Sequence, residues 1–234
     1  MTRPILVELA GGISDRFRVQ NTKGTSMSTD GRVEDRVCVI GIAGGSGSGK
    51  TTISGHLASA LGEDRVARLS QDSYYHDDRA LSAAQIRLRN YDHPAAIDSP
   101  LLAEHLRLLR DAQSVDVPCY DFATHSRRSA STRVDPRPIV LVEGLLLLSE
   151  AALRRCLTVR LYVEADDDTR LLRRIRRDTW ERGRDLNSVL EQWETWVKPM
   201  HDRFVEPSRR WADLVIADGC DREASLQMLL DSLR

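Results

Sequence analysis

The 234-residue sequence predicts a single α/β domain with three layers, a mainly parallel sheet carrying helices on both faces. From Val37 onward, short apolar runs alternate with helical patterns, as parallel strands joined by crossover helices require. A glycine-rich string, GIAGGSGSGKTT from Gly41 to Thr52, sits between one such run and a helical stretch. With 41% hydrophobic and 29% charged residues, the chain can bury one sizeable core.

Residues 1 to about 35 are rich in Gly, Ser, Thr and Asp and show no sustained period. They read as an N-terminal extension (1–35), expected to be poorly ordered, ahead of a domain over 36–234, with Met27 a candidate start. VCVIGI from Val37 is an unbroken apolar run, as a strand covered on both faces needs. Beyond the glycines, TTISGHLASALG predicts a helix over 51–61. Further strands are expected in VARLS from Val66, VDVPCY from Val115, PIVLVEG from Pro138, LTVRLYV from Leu157 and ADLVIA from Ala212. Helical patterns fall at 81–89, 101–112, 166–181, 186–197 and 222–233. SRRSASTRV, residues 126–134, is polar and lies between two strands, which predicts a small protruding hairpin or loop.

Composition excludes several classes. A net charge of −1 argues against general attraction to nucleic acid or anionic membrane. The cysteines at 38, 119, 156 and 220 show neither C-x-x-C spacing nor the density of a secreted disulfide scaffold, and they fit a reducing cytoplasm. Apolar runs such as Ile139 to Val142 fall far short of the ~20 residues that span a bilayer. ILVELA is too short for a secretory signal and carries Glu8.

Gly44, Gly49, Lys50 and Thr51 satisfy G-x-x-x-x-G-K-[ST], in which glycines let backbone N–H groups wrap nucleotide phosphates. Gly44, Gly45, Ser46, Gly47, Ser48 and Gly49 would form the cradle, and Lys50, Thr51 and Thr52 open the following helix. Lys50 would reach the β- and γ-phosphates and Thr51 would ligate Mg²⁺. A flexible linker does not sit between a buried strand and a helix, so the string predicts a P-loop NTP-hydrolase-like fold.

Five constellations carry candidate chemistry, most of them just past strand ends, where open α/β sheets collect ligands. Asp72, just past VARLS, is either a base near a nucleophilic hydroxyl or a turn or N-cap aspartate, and position alone weighs the two equally. Asp92, in NYDHP, could grip vicinal hydroxyls, although an Asx turn is the simpler role. Tyr120, Phe122 and His125 in PCYDFATHSR suit a planar base, while ordinary core and surface roles are the default. Glu143 breaks an apolar run where such folds carry a carboxylate near Mg²⁺, and without a cation or donor it would cost several kcal/mol. In DDDTRLLRRIRRDTWERGRD, residues 166–185, Arg170, Arg174 and Arg177 share one helical face and Leu171, Leu172 and Ile175 another. Such a run is usually a solvated face, but seven arginines ended by Gly183 predict a mobile, arginine-rich lid that closes over phosphates and excludes water.

Taken together, GGSGSGKT, LSQDSYY, NYDHP, YDFATHSR, VEG, ERGRDL and EPSRRWADLVIADG resemble the uridine–cytidine kinase family over about residues 37–221. That family lies in the wider group of P-loop kinases with phosphoribulokinase and pantothenate kinase. The resemblance implies ATP-dependent phosphorylation of uridine and cytidine to UMP and CMP, with Asp72 the base acting on the 5′-hydroxyl and Lys50 on the phosphates. It implies Thr51 and Glu143 around Mg²⁺, Asp92 and Arg174 on the ribose, and Tyr120 and His125 on the pyrimidine with Phe122 beside them. Arg177, Arg182 and Arg184 would form the lid over phosphates and nucleoside, Gln192 would lie near the substrate, and Asp221 near the adenine end. ATP, with GTP an alternative donor, a cytoplasmic location and a homotetramer restrained by pyrimidine triphosphates are also implied. Tyr91 stands where phenylalanine is frequent and Leu145 where isoleucine is, both at the expected nucleoside pocket. The form of the family fused to a uracil phosphoribosyltransferase-like module is not expected, since the sequence ends at Arg234. The alternatives are another small-molecule kinase of the same group and a P-loop regulatory or nucleic-acid ATPase. The G-protein string N-K-x-D is absent, and acidic residues at 178, 181 and 185 interrupt the arginine run.

Overall fold

The computed structural model describes residues 37–122, 124–218 and 221–233. The N-terminal extension and Met27 lie outside the described residues. Five parallel strands form the sheet: β1 (Cys38–Gly44), β2 (Val66–Ser70), β5 (Ile139–Gly144), β6 (Val159–Val163) and β7 (Leu214–Ile216), in spatial order β2-β5-β1-β6-β7. β1 is central and buried at every position, which explains its unbroken apolar text.

Alternation along β1 divides the core. Cys38, Ile40 and Ile42 pack with Ile53 and Leu57 of helix α1 (Lys50–Leu61) on one face, together with Leu226 and Leu229 from the C-terminal helix over Asp221–Leu233. Val39 and Ala43 face the other side, with Leu102, Leu106 and Leu109 of the helix over Ser99–Arg110 and with Leu153 of Ala151–Cys156. Helices therefore cover both faces, as predicted, and Ala151–Cys156 is a short addition that the periodicity did not signal.

The remaining strands depart from expectation. β3 (Val115–Asp121), read as one more sheet strand, instead pairs only with β4 (Ser126–Val134) in a separate antiparallel hairpin. The register shifts between Pro118 and Tyr120, and proline, which has no N–H to donate, accounts for the irregularity. The polar segment 126–134 is thus the outer strand of a protruding hairpin.

The helical path that starts in Leu186–Gln192 also runs further than the expected end at 197. It continues through π turns at Trp193–Val197 and His201–Val205 and a 3₁₀ segment over Glu206–Trp211. Pro199 and Pro207 lie within this path, and the switch from α to π and 3₁₀ turns beside them accommodates the missing N–H groups.

Candidate active site

The ends of β1, β2 and β5 open into a cavity of about 820 Å³. Lys50 and Thr51 enter it from the first turn of α1, Asp72 from the turn after β2, and Glu143 from the end of β5. Asp92 enters from the loop before Pro94, and Tyr120, Phe122 and His125 from the hairpin. Ser46, Arg174, Arg177, Arg182, Arg184 and Gln192 complete the predicted set that lines it. Thr52 is exposed and outside the lining. The helix over Asp221–Leu233 begins at Asp221, whose side chain lies outside the described structure.

The glycine string folds as a phosphate cradle must. Gly47 has φ +80, and a Cβ there would stand 2.4 Å from the carbonyl oxygen of Arg170. Gly44 has φ +145, and its Cβ would meet the Val163 carbonyl oxygen at 2.4 Å. Gly49 caps α1 in the left-handed conformation without a side-chain cap bond, and no acid occupies the first turn. The free N–H groups and the positive end of a 12-residue helix therefore face the cavity, an arrangement suited to anions. Lys50 Nζ donates to the Gly45 carbonyl at 2.8 Å. Burial lowers the Lys50 pKa to about 8, against the upward pull of Asp72 and Glu143 and with Arg177 and Arg170 adding to the fall. A polyphosphate beside Lys50 would favour its charged form again.

The simpler roles weighed for the two aspartates belong to their neighbours. Ser70 caps the turn after β2, its hydroxyl accepting the Asp72 N–H at 3.3 Å, so the Asp72 carboxylate is not the cap. Likewise Asn90 Oδ1 accepts the Asp92 N–H at 3.1 Å, so the Asx turn is made by Asn90. Both carboxylates are left to the cavity. Burial raises the Asp92 pKa, with Arg174 opposing and Asp72 reinforcing the shift.

Thr51 Oγ1 donates to Glu143 Oε1 at 3.1 Å, and Glu143 Oε2 is buried without a hydrogen-bond partner. Burial raises the Glu143 pKa, against Thr51 and Lys50. Among the described residues no three His, Cys, Asp or Glu side chains converge as a metal cage. Mg²⁺ needs none, since it is commonly held by one or two carboxylates and the substrate phosphates. An orphaned carboxylate oxygen next to a hydroxyl fits that chemistry.

The charged helix over Asp167–Trp180 buries its arginine-bearing side. Leu172 is 56% exposed, whereas Arg170, Arg174 and Asp178 are 1%, 7% and 0% exposed. Asp178, which sequence reasoning treated only as an interruption, pairs with Arg174 at 3.6 Å, Arg177 at 2.8 Å, Arg182 at 3.5 Å and Arg184 at 3.2 Å. Burial alone would raise its pKa, but Arg174, Arg177 and Arg182 reverse this and lower it. Arg174 also donates to Ser46 Oγ at 3.0 Å, and Arg174 and Arg184 each donate to Gln192 Oε1 at 3.2 Å. The arginine cluster is thereby tied to both the phosphate loop and the next helix, and Arg182 lies over the Phe122 ring at 5.0 Å. Arg170 was noted only for its face. Its Nη1 would stand 2.4 Å from a Cβ at Gly45, so it buttresses the loop.

Tyr75, also missed, is buried between Tyr91, Tyr120 and Phe122 at ring separations of 5.8, 5.2 and 6.3 Å. The second tyrosine of LSQDSYY was the available signal.

A glycine-rich loop opening a helix at the ends of parallel strands, a Thr51–Glu143 pair and an arginine cluster lining the same cavity as aromatic side chains mark the class of P-loop kinases. The chain belongs to the phosphoribulokinase / uridine kinase family, whose model matches residues 39–225. It is 44% identical over 200 residues to a uridine kinase of Lactobacillus johnsonii, covering 85% of this chain and 95% of that protein. It is also 44% identical over 192 residues to a uridine kinase of Chloroflexus aurantiacus, covering 82% and 92%. Solved structures share the fold at low identity. D-glycerate 3-kinase from Cryptococcus neoformans superposes with TM-score 0.59 at 16% identity, covering 92% of this chain and 96% of that one. Phosphoribulokinase from Rhodobacter spheroides gives 0.57 at 12%, covering 79% and 71%. Among the described residues no helix is long and apolar enough to cross a membrane.

Proposed function

We propose that the protein transfers the γ-phosphoryl group of ATP to the 5′-hydroxyl of uridine and cytidine, giving UMP and CMP. The observation that carries this is one cavity lined both by Lys50 and Thr51 of the phosphate loop and its helix and by Tyr120, Phe122 and His125 of the hairpin, with Asp72 among the lining residues. Relatives named uridine kinase that align over most of both chains favour the nucleoside over other acceptors.

ATP with Mg²⁺ supplies the phosphoryl group and neutralises its charge, Thr51 and Glu143 being the residues that would hold the metal. Lys50, Arg177 and Arg182 grip the phosphates. Asp92 and Arg174 take the ribose hydroxyls, with Arg184 and Gln192 bracing Arg174 through Asp178 and the shared hydrogen bonds. Tyr120 and His125 meet the pyrimidine. Asp72 accepts the proton of the 5′-hydroxyl as the new O–P bond forms and the bond to the leaving diphosphate breaks.

A panel of nucleosides, pantothenate and ribulose 5-phosphate, each with ATP or GTP and Mg²⁺ and scored by kcat/KM, tests the assignment. Uridine and cytidine are expected to dominate. Turnover of either non-nucleoside acceptor without turnover of uridine or cytidine would overturn it.

A further inference from the structure

Tyr91 makes two contacts that an apolar pocket wall would not need. Its ring lies against His125, with centroids 4.7 Å apart and planes 26° from parallel. Its hydroxyl donates to Asp78 Oδ2 at 2.9 Å. Asp78 is 2% exposed, and its other carboxylate oxygen pairs with Arg89 at 2.7 Å. The Asp78 backbone N–H also donates to the His125 carbonyl at 3.2 Å. Asp78 therefore reaches His125 twice, once through the backbone and once through the Tyr91 ring.

His125 needs such holding. Its φ of 51 lies in the left-handed region, which a non-glycine residue occupies only when its surroundings fix it. With Tyr91 stacked on one face, that side of the imidazole is closed to a nucleobase. The other face and the nitrogen edge remain, and of these the edge is where hydrogen bonds discriminate between bases in a way that stacking does not.

We propose that Tyr91 is a specificity-determining positioning residue: its hydroxyl bond to Asp78 sets the tilt of its ring, and the ring sets the plane in which His125 presents its nitrogen edge to the nucleobase. Arg89 makes the anchor rigid, because it neutralises Asp78 and leaves the second carboxylate oxygen to accept the tyrosine. A hydroxyl-to-carboxylate bond in a buried site is among the stronger hydrogen bonds and holds a narrow geometry. The proposal rests on the reading that His125 meets the base.

Tyr91→Phe keeps the ring and removes only the hydroxyl. The nucleoside KM is expected to rise about 10-fold, the scale of a lost hydrogen bond to a charged group. The preference for uridine over adenosine should narrow with it, while kcat and the ATP KM hold within about twofold. His125→Gln is the companion. If it alters nucleoside KM and base preference while Tyr91→Phe alters neither, the positioning role is refuted and the base-reading role stands. If neither variant changes base preference, the base-reading role fails and the specificity role of Tyr91 with it; whether its ring positions His125 is then judged separately on ligand-free protein with ¹³C-labelled histidine. There the His125 ring resonance should move in Tyr91→Phe, and an unmoved resonance refutes the claim whatever the kinetics.

Discussion

Thr51 and Glu143 meet at 3.1 Å across 92 residues of sequence, and the carboxylate oxygen that Thr51 does not reach is buried without a partner. A buried carboxylate left half-satisfied destabilises the ligand-free protein and gains a partner when a cation binds. Glu143→Gln should therefore lower kcat about 100-fold and raise the Mg²⁺ concentration for half-maximal activity, while leaving uridine binding within about threefold. Its ligand-free melting temperature should be equal to or above that of the parent. Mg²⁺ titrations of the initial rate with calorimetric uridine binding check this; an unchanged Mg²⁺ requirement removes Glu143 from the metal's surroundings.

Asp72 gives the sharpest separation of binding from chemistry. Because Ser70 already caps its turn, substitution leaves the local backbone bonds intact. Asp72→Asn is expected to bind uridine within about threefold of the parent while kcat falls about 10²- to 10⁴-fold, the range for a lost general base. Single-turnover phosphoryl transfer at saturating ATP measures it. A kcat within tenfold of the parent would take the base role away from Asp72.

Lys50 links stability to pH. Its folded pKa, lowered from 10.5 to about 8 chiefly by burial, means that the unfolded chain binds the proton more tightly than the folded one between those values. Stability of the ligand-free protein should thus rise from this group as pH increases from about 8 towards 10.5, the reverse of a lysine gaining a partner. At neutral pH the charged ammonium costs up to about 3 kcal/mol, offset in part by its bond to the Gly45 carbonyl. Lys50→Met is expected to melt higher than the parent at pH 7 without nucleotide and to gain almost nothing from ADP, whereas the parent gains several degrees. Thermal denaturation at pH 7 and 9, with and without ADP, reads both; a lower melting point for Lys50→Met at pH 7 contradicts the lowered pKa.

The parts of this architecture that were legible in sequence are those in which local chemistry and tertiary packing agree. The run Cys38–Gly44 is apolar throughout because both faces are covered, and the glycines after it are dictated by contacts such as that of Gly47 with the Arg170 carbonyl. Legibility failed where packing overrode pattern. VDVPCY alternates like any strand, and only the register shift beyond Pro118 and its pairing with a polar partner separate it from the sheet. The helix over Asp167–Trp180 diverges for a related reason: its arginines read as a solvated face or a mobile lid, yet the elements beside it are the phosphate loop and Gln192, against which Arg170 and Arg174 are buried. Nor could spacing show that Asn90 makes the turn that Asp92 was free to make, since either side chain can accept a backbone N–H. At these sites polar contacts between neighbouring elements, and not the apolar core, determine what is buried.

Asp178 is the test of that last point. It is 0% exposed and gathers four like-charged arginines around one carboxylate, so Asp178 organises a cluster that would otherwise repel itself. Breaking a buried ionic network from one side typically costs about 3–5 kcal/mol because the remaining charges stay buried. Here the cost should be smaller, since Arg177, Arg182 and Arg184 are partly exposed and can turn to solvent. Asp178→Asn is therefore expected to lose about 1–3 kcal/mol in urea unfolding, with a guanidinium cluster freed to bind anions. Its ADP affinity should hold or improve, while kcat drops at least about 10-fold, because Arg174 and Arg184 no longer keep the geometry that Gln192 shares with them. Added sulfate should restore part of the lost stability by replacing the missing charge. A variant that kept both its kcat and its unfolding midpoint would show that the four arginines are positioned by something other than Asp178.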